Sequence, residues 1–117
     1  MMARNKLPEK RPALTRKLSI MMSGKPAHIL VTFGFKVELT EISVGESVGT
    51  ESKFRVAEVF CADFKAGSDL HAIVMDACIL LSRLFQHGDS PKEIADTLGE
   101  DSLIKTIAVA AAEEDEA

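Results

Sequence analysis

The chain has no tryptophan and no tyrosine, and its aromatic side chains are six phenylalanines among 117 residues. That scarcity argues against a stacking platform for single-stranded nucleic acid. It has two cysteines, Cys61 and Cys78, with no CxxC and no Cys/His spacing. A zinc site is therefore not expected, and two buried thiols in a reducing compartment are. No apolar run reaches the ~18 residues of a membrane-spanning helix. Met1–Arg16 carries basic residues without an apolar stretch behind them, so it does not read as a secretory signal. The expected location is cytoplasmic, with no membrane contact.

What is present fits one domain. A chain of this length buries a sizeable core, and 46% hydrophobic residues suffice to fill it. The net charge of −4 is unevenly spread. Residues 1–17 hold six basic side chains against Glu9; residues 88–117 hold nine acids against Lys92 and Lys105. Residues 1–13, with Pro8 and Pro12, read as a basic extended arm. Residues 14–112 read as the domain, and 113–117 as an acidic tail. Both ends are expected to be solvated and frayed, the tail because acids at a helix C-terminus oppose the macrodipole.

Leu14, Leu18, Ile20 and Met22 share one parity and predict a strand. Ser23-Gly24-Lys25-Pro26 reads as a turn. A second strand follows, with Ile29, Val31, Phe33 and Phe35 on one face. The pair predicts a β-hairpin. Residues 36–44 alternate and then shift phase at Ile42 and Val44, as a bulge or a change of strand would do. Gly45–Lys53 is polar and aperiodic and reads as a mobile loop. Phe54–Cys61 is apolar on both parities, which predicts a central strand covered on both faces.

The helical half is clearer. Ser68 or Asp69 caps a helix whose apolar positions are Leu70, Ile73, Val74, Ala77, Leu80, Leu81, Leu84 and Phe85. His87-Gly88 ends it, with glycine at C′. Ser90-Pro91-Lys92-Glu93 is a capping box opening a short helix that Gly99 stops. Asp101 or Ser102 opens a last helix, to about Ala112. The expected fold is α+β: an antiparallel sheet of three to five strands, packed by one main helix and two shorter C-terminal helices.

One junction has the makings of a ligand site. Lys65, Gly67, Ser68 and Asp69 sit just before a helix N-terminus, where free N–H groups suit an anion. It lacks the paired glycines of a P-loop, and a structural cap is the better-supported reading there. Ser68 has no evident activating base. Asp63, Asp69 and His71 fall near the same junction without metal-ligand spacing. No cofactor and no metal site are expected. Nucleic-acid binding is disfavoured by the net negative charge.

From Arg11 to about Gly99 the chain resembles the TSCPD-type domains at the C-terminus of adenosylcobalamin-dependent (class II) ribonucleotide reductases, and their short stand-alone bacterial and phage relatives. The resemblance rests on Arg11-Pro12, the strand pair, Ala57-Glu58-Val59-Phe60, Lys65-Ala66-Gly67-Ser68-Asp69, and Leu80-Leu81-Ser82 through Gln86-His87-Gly88 to Ser90-Pro91-Lys92-Glu93. It departs from the family pattern at 36–53, where a short hairpin turn is expected. The resemblance implies an accessory module without an active site of its own.

The expectation is thus a non-enzymatic accessory or binding protein, regulatory and reductase-associated, with a protein partner and a homodimer as a further expectation. The candidate contacts are the basic residues Arg4, Lys6, Lys10 and Arg11, and Val44 and Val48 of the insertion. The rival readings are a phosphate- or nucleotide-binding protein using Lys65–Asp69, and a phage-type acidic inhibitor of a host nucleic-acid enzyme.

Overall fold

The computed structural model describes residues 12–65 and 67–116. The proposed contact residues Arg4, Lys6, Lys10 and Arg11 lie outside them. Three strands come first: β1 (Ala13–Met22), β2 (Lys25–Val44) and β3 (Ser47–Phe60). Three helices follow: α1 (Asp69–Gln86), α2 (Pro91–Thr97) and α3 (Leu103–Glu114). The fold is α+β, with one antiparallel sheet in the order β1-β2-β3.

Both hairpin turns have two residues. Ser23 and Gly24 each have positive φ, 52° and 76°, the type I′ pattern that matches the twist of the flanking strands. Gly45 has φ 62° and Glu46 follows it, so this turn has a positive φ at its first position, as in type II′. The core face of the sheet carries Leu18, Ile20, Ile29, Val31, Phe33, Phe35, Val56, Val59 and Cys61. Against it pack Val74, Cys78, Leu81 and Phe85 of α1 and Ile107, Ala110 and Ala111 of α3. Burial of Val74, Leu81 and Phe85 contributes about 1.5–3 kcal/mol each.

Gly45–Lys53, read as a mobile loop, is a two-residue turn followed by strand. Residues 36–53 are the outer part of a β2–β3 ribbon, paired in register from Phe35↔Val56 to Val44↔Ser47. Periodicity missed it because a ribbon without a helix over it needs no one-sided burial. At ~3.3 Å per residue the twenty residues of β2 span about 66 Å when flat. That accounts for a molecule measuring 59 × 27 × 25 Å.

Two further expectations are corrected. The Phe54–Cys61 strand is an edge, not the centre; β2 is central. Its apolar residues occur on both parities because of a bulge. Gly34 pairs with Glu58 and Phe35 with Val56, so Ala57 is the extra residue. Val56, Ala57 and Val59 are all buried as a result. A Cβ at Gly34 would lie 2.6 Å from the Glu58 side chain, which would have to swing aside. The bulge sits at Ala57 and not at the 42–44 phase shift.

Secondly, the acidic tail is docked. α3 runs to Glu114, and Asp115 and Glu116 after it bind β3.

Candidate functional site

The caps form as the local sequence dictates. Ser68, Ser90 and Ser102 each accept a backbone N–H, from His71, Glu93 and Lys105 respectively. At the Lys65–Asp69 junction this decides what the residues do. Gly67 takes φ 83° to turn the chain. The Ser68 hydroxyl donates to the Lys65 carbonyl at 2.7 Å and accepts the His71 N–H at 3.1 Å. Lys65 and Asp69 are both exposed. The four residues do come together, as a turn and a helix cap whose hydroxyl is committed in both directions. Asp63, of the proposed acidic group, accepts the Leu30 N–H at 2.9 Å and so extends the sheet pairing past the end of β3. Among the described residues no group of three or more His, Cys, Asp or Glu is placed to hold a metal.

The larger signal is uncovered apolar surface. The helices lie on one face of the sheet and stop where the ribbon begins. Opposed residues of an antiparallel pair share a face. One face of the ribbon therefore carries Val37, Phe54, Leu39 and Val48, with Ser52, Thr50, Ser43 and Glu41 between them. This face continues that of Phe33 and Phe35; the Phe35 and Phe54 rings meet edge to face at 6.3 Å. Leu39 is 69% exposed and Val48 66%. The other face carries Ile42 and Val44 beside Glu38 and Lys53. Val44 and Val48, proposed as one contact, are both exposed but on opposite faces.

A second apolar stripe lies on α1. Ile73, Ala77, Leu80 and Leu84 recur at steps of four, three and four, so they form one flank. Ile73 and Leu80 are 62% and 63% exposed. The sequence places this flank in one apolar stripe with Val74, Leu81 and Phe85; the buried part is Val74, Cys78, Leu81 and Phe85. The sequence stripe was broader than a single packed face needs. On the outer sheet face, Met21, Leu30 and Phe60 are also exposed.

The free edge of β3, by contrast, is closed. Ser82 Oγ accepts the Val59 N–H at 2.9 Å and lies 2.8 Å from the Cys78 carbonyl. The buried Gln86 amide donates to the Ala57 carbonyl at 3.0 Å. Beyond the bulge the tail takes over. Asp115, with its side chain 3% exposed, accepts from Val56 N–H and Arg55 Nε, both at 2.9 Å. Glu116 pairs with Phe54 through both its backbone N–H and its carboxylate. Arg16 reaches the Ala110 carbonyl, Glu113 and Glu114. The hydrogen bond to Asp115 is the main cause holding the Arg55 pKa above its usual value, against the opposing effect of burial. Sequence reading missed these roles because a carboxylate at a chain end looks solvated until its strand partner is known.

Cys61 and Cys78 are free and buried. Burial pushes both thiols up, Cys78 to about 11, with Cys61 adding to the shift. Neither is poised as a nucleophile. A groove of about 500 Å³ lies between β1 and the start of α3, beside Ile20, Asp101 and Thr106. No helix among the described residues is long and apolar enough to cross a membrane.

Comparison with protein-family models, with curated proteins and with solved structures returns no match. The surface chemistry above therefore carries the functional argument.

Proposed function

We propose that the protein is a non-catalytic accessory module whose exposed apolar surfaces are completed by another protein. One observation carries this: the helices cover one face of the sheet and only its inner half. Leu39, Val48 and Phe54 of the ribbon and Leu30 and Phe60 of the outer face are left exposed. Apolar side chains grouped in this way mark contact surfaces. The resemblance to accessory domains makes an adenosylcobalamin-dependent ribonucleotide reductase the first partner to try.

The test is titration of such a purified reductase with the full chain, with Leu39→Glu and with Leu30→Lys. The wild type binds, and at least one variant binds at least tenfold more weakly. Absence of binding removes the reductase assignment. Undiminished binding by both variants removes the surfaces from the proposal.

A further inference from the structure

The ribbon and α1 are elements of similar length, each with an uncovered apolar stripe, the one on α1 running about 17 Å from Ile73 to Leu84. Val37–Val44 is eight residues, about 26 Å at the strand rise. α1 is eighteen residues, about 27 Å at the helix rise. They do not meet within the molecule. α1 is tied by Ser82 and Gln86 to β3 at Ala57 and Val59, and the ribbon runs away from that point in the other direction.

We infer that each covers the other in a second copy: the ribbon of one molecule lies along Ile73, Leu80 and Leu84 of its partner, and the partner's ribbon returns the contact. This deepens the proposed function by naming what occupies the ribbon; it leaves the outer sheet face free for a third party.

Area selects this arrangement. A ribbon face about 26 Å long and 10 Å wide buries roughly 260 Å² on each side of a contact. One such contact, or one α1–α1 contact between copies, totals about 520 Å², within the range of crystal packing. Two reciprocal contacts total about 1,040 Å², which clears the ~1,000 Å² expected of a biological interface. The exchange is also closed by a two-fold axis, so it stops at a dimer. Charge argues against a nucleic-acid occupant. Lys36, Lys53 and Arg55 of the ribbon are outnumbered by Glu38, Glu41, Glu46 and Glu51, and phosphates would be repelled.

The experiment is light scattering on the full chain, with native mass spectrometry of mixed variants. The wild type runs at twice 12.7 kDa. Two variants disable one surface each: Leu39→Glu with Val48→Glu on the ribbon, and Ile73→Glu with Leu80→Glu on the helix. Each is monomeric alone at concentrations where the wild type is a dimer. Mixed together they keep one contact of the two, the helix variant's ribbon on the ribbon variant's helix, and so pair far more weakly than the wild type. Circular dichroism establishes that each is folded. Replacement of residues 39–52 by Asn-Gly removes the ribbon surface without adding charge, and is also monomeric.

A monomeric wild type overturns the inference. So does a dimer that survives loss of the ribbon, which would be held by α1 alone, or one that survives the helix variant, which would be held by ribbon against ribbon. Mixed variants that pair as tightly as the wild type overturn it as well, since one contact would then suffice. Each of these outcomes is read on the chain alone, and so is separate from the reductase titration.

Discussion

Ser82 and Asp115 do the same work at different places along β3. Each supplies an oxygen to a backbone N–H that would otherwise face the open edge of the sheet, Val59 in one case and Val56 in the other. A buried donor left without a partner costs about 1–3 kcal/mol. Ser82→Ala is expected to lose stability in that range, measured by urea unfolding, since alanine fits the space and removes only the hydroxyl. Cys78 gives a prediction of a different kind. Its pKa stands at about 11 in the folded chain, against 9.0 for an unperturbed thiol. The folded state therefore holds the proton more tightly, and the stability this contributes is complete below pH 9. It is lost as pH rises from about 9 to 11, where the unfolded thiol ionises first. Cys78→Ala should flatten that part of a stability-versus-pH curve, and the wild-type thiols should react with a disulfide reagent at neutral pH only on unfolding. At this scale much was legible in advance. Ser90 and Gly88 were readable as cap and stop because their partners lie within four residues. Ser82, Gln86 and Asp115 were not, since their partners are 23, 29 and 59 residues away.

The ribbon is the element with the least support from its own chain. A two-stranded ribbon is marginal in water unless something packs on it, and past Phe35 neither sheet nor helix covers these strands. Replacing 39–52 with Asn-Gly, which joins the paired residues Glu38 and Lys53, should therefore leave the unfolding free energy of a dilute, monomeric sample within about 0.5 kcal/mol of wild type. The C-terminal tail behaves in the opposite way. Truncation after Glu114 removes the acceptors for Phe54 and Val56 and the partner of Arg55. It should cost about 2–4 kcal/mol by the loss of charge-assisted bonds. It should also leave a bare strand edge, seen as aggregation on warming. Why the ribbon escaped sequence reading follows from the same physics. Gly49, Glu51 and Lys53 are poor strand formers individually. They are held as a strand by register with β2, a property of the pair and not of the segment. The helices depend on local caps and an apolar stripe, so all three were readable.

The whole molecule has a two-layer body with one sheet face open and a strand pair extending from it. Its surface is balanced in an unusual way: polar where strands end, apolar where they are long. An assembly held by Leu39, Val48, Ile73 and Leu80 gains little from charge. Its dissociation constant should change less than about threefold between ~0.05 and ~0.5 M salt, because screening acts on exposed charges. A steep loss of association with salt would instead assign the contact to the charged face of Glu38, Glu51 and Lys53. The one-sided layering also explains why the α1 stripe was over-read. Eight apolar positions span an arc of about 140° of the helix, and the sheet face buries three of them, Val74, Leu81 and Phe85.

The bulge at Ala57 has a consequence for length. It sets which residues of β3 turn outward: even-numbered ones meet the tail at 54 and 56, odd-numbered ones meet α1 at 57 and 59. A one-residue insertion between Val48 and Lys53 would be met by a matching slip in β2 or else invert every side chain beyond it. The ribbon can therefore change length without disturbing the body only in double steps on both strands, each moving its tip by about 6.6 Å. It is a ruler with fixed graduations, and its present setting is the span of one α-helix.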